Sequence, residues 1–144
     1  MPITYVCSPL SAPSRAEMLA NAAKASTYMI WAEQEFGGRA VAPHAYLPYL
    51  LDDRNPEERA LALEFDMKIL AMCERLVVYG DVISDGMSTE IEFAHAHNIP
   101  ILFRKDLRGN MSLCSTVVTS DCQRSYGTVV LEHVTRRNLR IGNP

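Results

Sequence analysis

The 144-residue chain has no excess of basic residues, no long apolar run and no clustered cysteines. Fourteen Lys and Arg stand against seventeen Asp and Glu, a formal net charge of −3. A chain of that balance has no electrostatic footprint for a nucleic-acid polymer, although a single nucleotide is not excluded as a ligand. No apolar stretch approaches the roughly 18 residues that span a bilayer, and the N-terminus carries no charged-then-apolar signal pattern. No membrane partner is therefore expected. The four cysteines, Cys7, Cys73, Cys114 and Cys122, form no CxxC pair. Cys7 and Cys73 sit in apolar segments and read as small core residues. Cys114 and Cys122 lack the companion ligands of a zinc site, so no metal is expected. A reducing cytoplasm is the simplest setting for such thiols. With only seven glycines, the chain has no glycine-rich phosphate cradle.

What is present is the make-up of one ordinary globular domain over 1–144, with 48% apolar and 22% charged residues. Four short β-rich runs alternate with helical patterns. The runs cover 3–7, 39–42, 76–79 and 101–103. The first helix is expected over 15–36, opened by Ser14 with Glu17 three residues on and closed by Gly37-Gly38. Met18, Ala22, Ala25, Met29, Ala32 and Phe36 form its apolar stripe. The second helix is capped by Asn55, with Pro56 at its first position and Glu57 and Glu58 at the dipole's positive end. It is expected to reach about Cys73, with Leu61, Phe65, Ile69 and Met72 as its main apolar stripe and Ala62 and Leu70 beside it. A third helix is expected after a loop over 81–87, with Ser88 as its cap, and stops at Asn98-Ile99-Pro100. The order β-α-β-α-β-α-β predicts a single-domain, doubly wound parallel sheet of the flavodoxin or Rossmann-like kind, with helices on both faces. Further strands are expected over 115–119 and 128–131, before a basic stretch from Arg136 to Arg140.

Open sheets of this kind bind ligands at the carboxyl ends of their strands. Glu90 falls there, in the expected first turn of the third helix. It either offsets the helix dipole or is a carboxylate aimed into a cleft. Near a helix start its pKa would be lowered. The segment Ser8-Pro9-Leu10-Ser11-Ala12-Pro13-Ser14-Arg15 follows the first strand and is dense in hydroxyls. It either holds a phosphate or is a capped helix start with a solvated arginine. His44, Tyr46 and Tyr49 follow the second strand, and either pack against a base or sugar or cover the core. Asp66 lies beside the apolar stripe of the second helix, either at its solvated edge or placed for use.

Several of these pieces together resemble a known family. They are Tyr5-Val6-Cys7-Ser8-Pro9, Asp66, Ser84-Asp85-Gly86-Met87-Ser88-Thr89-Glu90-Ile91-Glu92-Phe93-Ala94 and Ile99-Pro100-Ile101. In this order they resemble the nucleoside 2-deoxyribosyltransferase-like superfamily, above all its small bacterial and phage members of the DUF4406 and DUF7768 type. The resemblance covers about 3–103. It implies a glutamate nucleophile, Glu90, that attacks the anomeric carbon of a nucleoside. It implies that Tyr5 positions that glutamate and that Asp66 contacts or protonates the base. Ser84 stands where the superfamily places a sugar-binding aspartate, with Asp85 one place later. The expected substrate-binding set is Ser8, Pro9, Ser11, Ser14, Arg15, His44, Ser84, Asp85, Gly86 and Met87. The resemblance further implies a small-molecule nucleoside or nucleoside 5′-monophosphate, transfer of the (deoxy)ribosyl group to another base or to water, no cofactor, and a homodimer or larger assembly. A non-catalytic nucleotide-sensing module on the same fold is the alternative.

Overall fold

The computed structural model describes residues 1–104 and 117–118. Five strands and three α-helices follow one another as β1 (Ile3–Cys7), α1 (Arg15–Phe36), β2 (Arg39–Val41), α2 (Pro56–Leu70), β3 (Arg75–Tyr79), α3 (Asp85–Ala96), β4 (Ile101–Arg104) and β5 (Val117–Val118). Two short 3-10 turns, Pro43–Ala45 and Leu47–Tyr49, lie between β2 and α2. The sheet order is β2-β1-β3-β4-β5. The first four strands pair in parallel; β5 adds an antiparallel edge, with Ile101 opposite Val118 and Leu102 opposite Val117. Those two residues fall within the strand expected over 115–119. The strand expected over 128–131, the basic segment, Cys114 and Cys122 lie outside the described residues.

Side chains alternate across the sheet, so each parallel strand supplies two cores. Tyr5, Cys7, Leu76 and Val78 face Leu70 of α2 and Met87, Ile91 and Ala94 of α3. Val6, Val77, Tyr79 and Leu102 face Ala25, Tyr28 and Ala32 of α1. Strands buried on both sides must be apolar almost throughout, as 76–79 are. Each fully buried aliphatic side chain here contributes about 1.5–3 kcal/mol. β1 has β2 on one side and β3 on the other, so the chain winds in opposite directions from it. That reversal opens a crevice beyond the carboxyl ends of β1 and β3.

Local chemistry sets the helix ends. Ser14 and Glu17 form the reciprocal capping box of α1. Asn55 caps α2 by accepting from the Glu57 N–H at 3.0 Å. Gly38 follows α1 at φ +71°, and a Cβ there would meet the Pro2 carbonyl oxygen at 2.2 Å, so only glycine fits.

Three expectations are corrected. Ser84, not Ser88, caps α3: its Oγ accepts from the Met87 N–H, and its own N–H donates to Met87 Sδ at 3.5 Å. Ser88 lies inside the helix with its hydroxyl donating to the Ser84 carbonyl at 3.1 Å. Glu90 is consequently the sixth residue of α3, in its second turn. The α2 stripe is also in another phase. Leu61, Phe65 and Met72 are 55%, 45% and 68% exposed, Ile69 packs at the core's edge, and the helix buries Asp66 and Leu70. Apolar residues occur nearly all round this helix, so periodicity alone fits two faces. On α1, Tyr28 is a buried residue that the expected stripe omits. It stacks on Tyr79 with ring centroids 4.7 Å apart, while Met29 and Phe36 are only partly buried.

Candidate active site

Four ionisable side chains converge at the crevice. Tyr5 and Glu90 are fully buried, and the Tyr5 hydroxyl donates to Glu90 Oε1 at 2.8 Å. β1 brings the tyrosine from one side and the second turn of α3 brings the carboxylate from the other. His44 comes from the 3-10 turn after β2. Its Nδ1 lies 2.8 Å from the Ser8 carbonyl oxygen, which can only accept, so Nδ1 carries a proton. The opposite nitrogen, Nε2, stands 3.4 Å from Glu90 Oε1 and 3.7 Å from Asp66 Oδ2. Asp66 reaches the site from the third turn of α2 and is 2% exposed.

The electrostatics follow from this packing. Burial alone would lower the His44 pKa, but Glu90, Asp66 and the Ser8 carbonyl outweigh it and push it up to about 9. His44 is an imidazolium at neutral pH. The Glu90 carboxyl is raised by burial and by Asp66, against the pull of His44, Cys7 and Tyr5. The lowering expected from a helix start is therefore corrected, because Glu90 lies one turn too deep and is desolvated. The Tyr5 phenol is raised by burial and by Glu90, so it stays a donor. Glu90 Oε2, Asp66 Oδ1 and Ser8 Oγ are buried with no hydrogen-bond partner among the described residues. Unsatisfied buried acceptors of this kind are uncommon and mark places where something else can bind. One donor atom each from His44, Asp66 and Glu90 fall within 4.8 Å of one another, so these three are the described residues whose spacing could hold a metal ion.

A narrow cleft lies above His44 and Asp66, while Tyr5 and Glu90 are buried beneath it and do not line it. Of the expected site residues, Ser11, His44, Asp66, Ser84 and Gly86 line it. Ser8 orients His44 from beneath. The others stand elsewhere. Pro9 lines a separate depression beside α1 with Asn21, Lys24 and Asp81. Ser14 is exposed and engaged with Glu17, and Arg15 donates to the Pro48 carbonyl at 3.4 Å. Asp85 is exposed at the start of α3, and the Met87 side chain belongs to the core. Sequence reasoning missed Leu10, Leu47, Asp53, Arg59, Ala62 and Leu63, which complete the cleft. Arg59, Ala62, Leu63 and Asp66 recur at steps of three and four, a signal of one helix face that was legible once the phase of α2 was known.

Residues 2–104 match the profile of a family described as a domain of unknown function, DUF7768. The chain belongs to the DUF7768 family. No curated protein matches it. Among solved structures, the DUF7768 chain is similar to a 2-deoxyribosyltransferase from the psychrotolerant bacterium Bacillus psychrosaccharolyticus. The two share 17% identity over 77% of each chain, with a TM-score of 0.52. At that identity the likeness shows a shared fold, the doubly wound α/β plan with its crevice at the switch point. Among the described residues of the DUF7768 chain, no helix is long and apolar enough to cross a membrane.

Proposed function

We propose that this DUF7768 protein cleaves the N-glycosidic bond of a nucleoside or nucleoside 5′-monophosphate, with Glu90 as nucleophile. One observation carries the reading. Glu90 Oε1 is held by Tyr5 and faces His44, while Oε2 is buried with no hydrogen-bond partner among the described residues. A carboxylate fixed by one oxygen with the other left free is arranged to attack. Its neighbour His44 is a protonated acid within reach of the same cleft.

The steps balance. Oε2 bonds to the anomeric carbon as the bond to the base nitrogen breaks, and the electron pair leaves with the base. The base takes a proton from His44 Nε2, which the Asp66 carboxylate beside it holds in place. The covalent ester is then opened by water or a second base, which gives its proton back to His44 and releases the Glu90 carboxylate. Carboxylate chemistry of this kind serves retaining glycosidases, where oxocarbenium character develops at the same carbon. Ser84, Gly86 and the first N–H groups of α3 stand at the cleft where sugar hydroxyls or a 5′-phosphate would lie. A solved relative of the same fold being a 2-deoxyribosyltransferase supports the substrate class. The proposal includes a homodimer or larger assembly in solution, which sedimentation measures directly.

The second reading, a nucleotide sensor, is favoured by Ser84 at the position where the superfamily carries an aspartate. Chromatography separates the two. The protein is incubated with pools of nucleosides and 5′-monophosphates, with and without a second free base. Base release that Glu90→Gln abolishes supports the enzyme. Binding without release supports the sensor.

A further inference from the structure

The far end of the cleft carries a second charged pair that the chemistry above does not use. Asp53 Oδ2 accepts from the Ser11 hydroxyl at 2.8 Å and from Arg59 Nη1 at 3.3 Å. Both side chains line the cleft, and Asp53 is 18% exposed. Asp53 Oδ1 and the Nε and Nη2 groups of Arg59 have no hydrogen-bond partner among the described residues. Ser11 and Arg59 therefore fix the pair while leaving an acceptor and donors free beside each other.

The spacing relates this pair to the reacting group. Arg59 and Asp66 are seven residues apart on one face of α2, about 10 Å along the axis. Ala62 and Leu63 lie between them, and Leu10 and Leu47 line the same cleft. The cleft is thus polar at both ends and apolar in its middle, and the proposed chemistry would set the glycosidic nitrogen at the Asp66 end. A one-ring base held at that end would fall short of Arg59. A two-ring base would bring its six-membered ring to the pair.

We infer that the Asp53–Arg59 pair reads the lactam edge of a 6-oxopurine, making guanine and hypoxanthine the preferred bases of this site. The inference rests on the glycosidic site proposed above. A guanidinium matches a carbonyl oxygen such as O6, and a carboxylate accepts from the adjacent ring N–H. Guanine adds its exocyclic amine as a further donor to the same carboxylate. Adenine places an amine at C6 and an unprotonated nitrogen at N1, so it turns a donor toward the guanidinium.

The test is the ratio of base release from guanine, hypoxanthine, adenine, cytosine and uracil substrates, each as 2′-deoxynucleoside and 5′-monophosphate. Release of guanine and hypoxanthine at least about tenfold faster than adenine is expected, because a site built to hydrogen-bond a group rejects the analogue that lacks it. Asp53→Asn is expected to bring that ratio within about threefold of unity. A ratio is insensitive to the fraction of a variant that folds, so a merely structural role for Asp53 would leave it unchanged. Adenine or pyrimidine preference in the wild type, or an unchanged ratio in Asp53→Asn, overturns the inference while leaving the glycosidic reading intact. If no substrate releases a base, that reading fails, and calorimetry with free hypoxanthine and adenine decides the edge alone. Tighter hypoxanthine binding supports it; equal, reversed or absent binding overturns it.

Discussion

The Tyr5 hydroxyl donates to Glu90 Oε1 at 2.8 Å across a sequence separation of 85 residues. The bond joins β1 to the helix carrying the carboxylate, and both side chains are fully buried. Tyr5→Phe keeps the ring volume and removes only the donor. A hydrogen bond to a charged group is worth about 1.5–3 kcal/mol, so the variant should fold but lose stability of that order. Base release should fall by roughly ten- to a hundredfold as the carboxylate loses its anchor. Thermal unfolding and steady-state rates measure the two effects separately.

His44 gives the pH dependence a definite sign. Its pKa is about 9 in the folded protein against an ordinary 6.5. A group raised on folding contributes stability that is fully present below the unfolded value and is lost as pH rises through the folded one. The unfolding free energy from urea titrations should therefore decline between about pH 6.5 and pH 9, by a total on the order of 3 kcal/mol. Glu90, also raised, has the same sign in a window that begins at the ordinary carboxylate range. His44→Gln should flatten the alkaline part of the profile. The proposed acid role adds that base release should fall along the same alkaline limb in the wild type.

Asp66→Asn tests how the imidazolium is held. The substitution preserves shape and removes one of the two carboxylates that raise His44. The alkaline limb of the rate profile should move toward lower pH, while Glu90 still faces Nε2. Titration of the His44 ring followed by NMR reports the same shift without turnover. An unmoved limb would mean that Asp66 acts on the substrate alone.

Ser84→Ala removes the cap of α3 and should cost about 1 kcal/mol, with Ser84→Gly costing less. Calorimetry checks the stability, and Ser88→Ala serves as a comparison because Ser88 caps nothing. Ser84 also lines the cleft, so its loss should raise KM for the true substrate more than it lowers the melting temperature would suggest.

Much of the fold was legible because local and global signals agreed. The Ser14–Glu17 box, the Gly37-Gly38 stop and the β-rich runs each named one boundary with one physical cause. The phase of α2 was not legible, since Leu61, Phe65 and Met72 fit a helical period as well as Ala62, Asp66 and Leu70 do. Only packing against β1, β3 and α3 chooses between them, and it buries an aspartate in preference to a phenylalanine. The cap of α3 was misplaced because both Ser84 and Ser88 suit the role. Met87 Sδ, accepting the Ser84 N–H, takes the place of the usual glutamate. Tyr5, Asp66 and Glu90 stood out through family resemblance, and their convergence needed the sheet order. His44 was visible only as a residue at a strand end. Its charge depends on two carboxylates brought from α2 and α3, 22 and 46 residues away in the sequence.

The most direct measurement is mass spectrometry of the intact protein quenched during turnover with a 2′-deoxynucleoside or its 5′-monophosphate. The account predicts a covalent adduct of the sugar mass on the peptide containing Glu90, absent from Glu90→Gln, together with released base. Base release that persists in Glu90→Gln, or an adduct on another side chain, would contradict it.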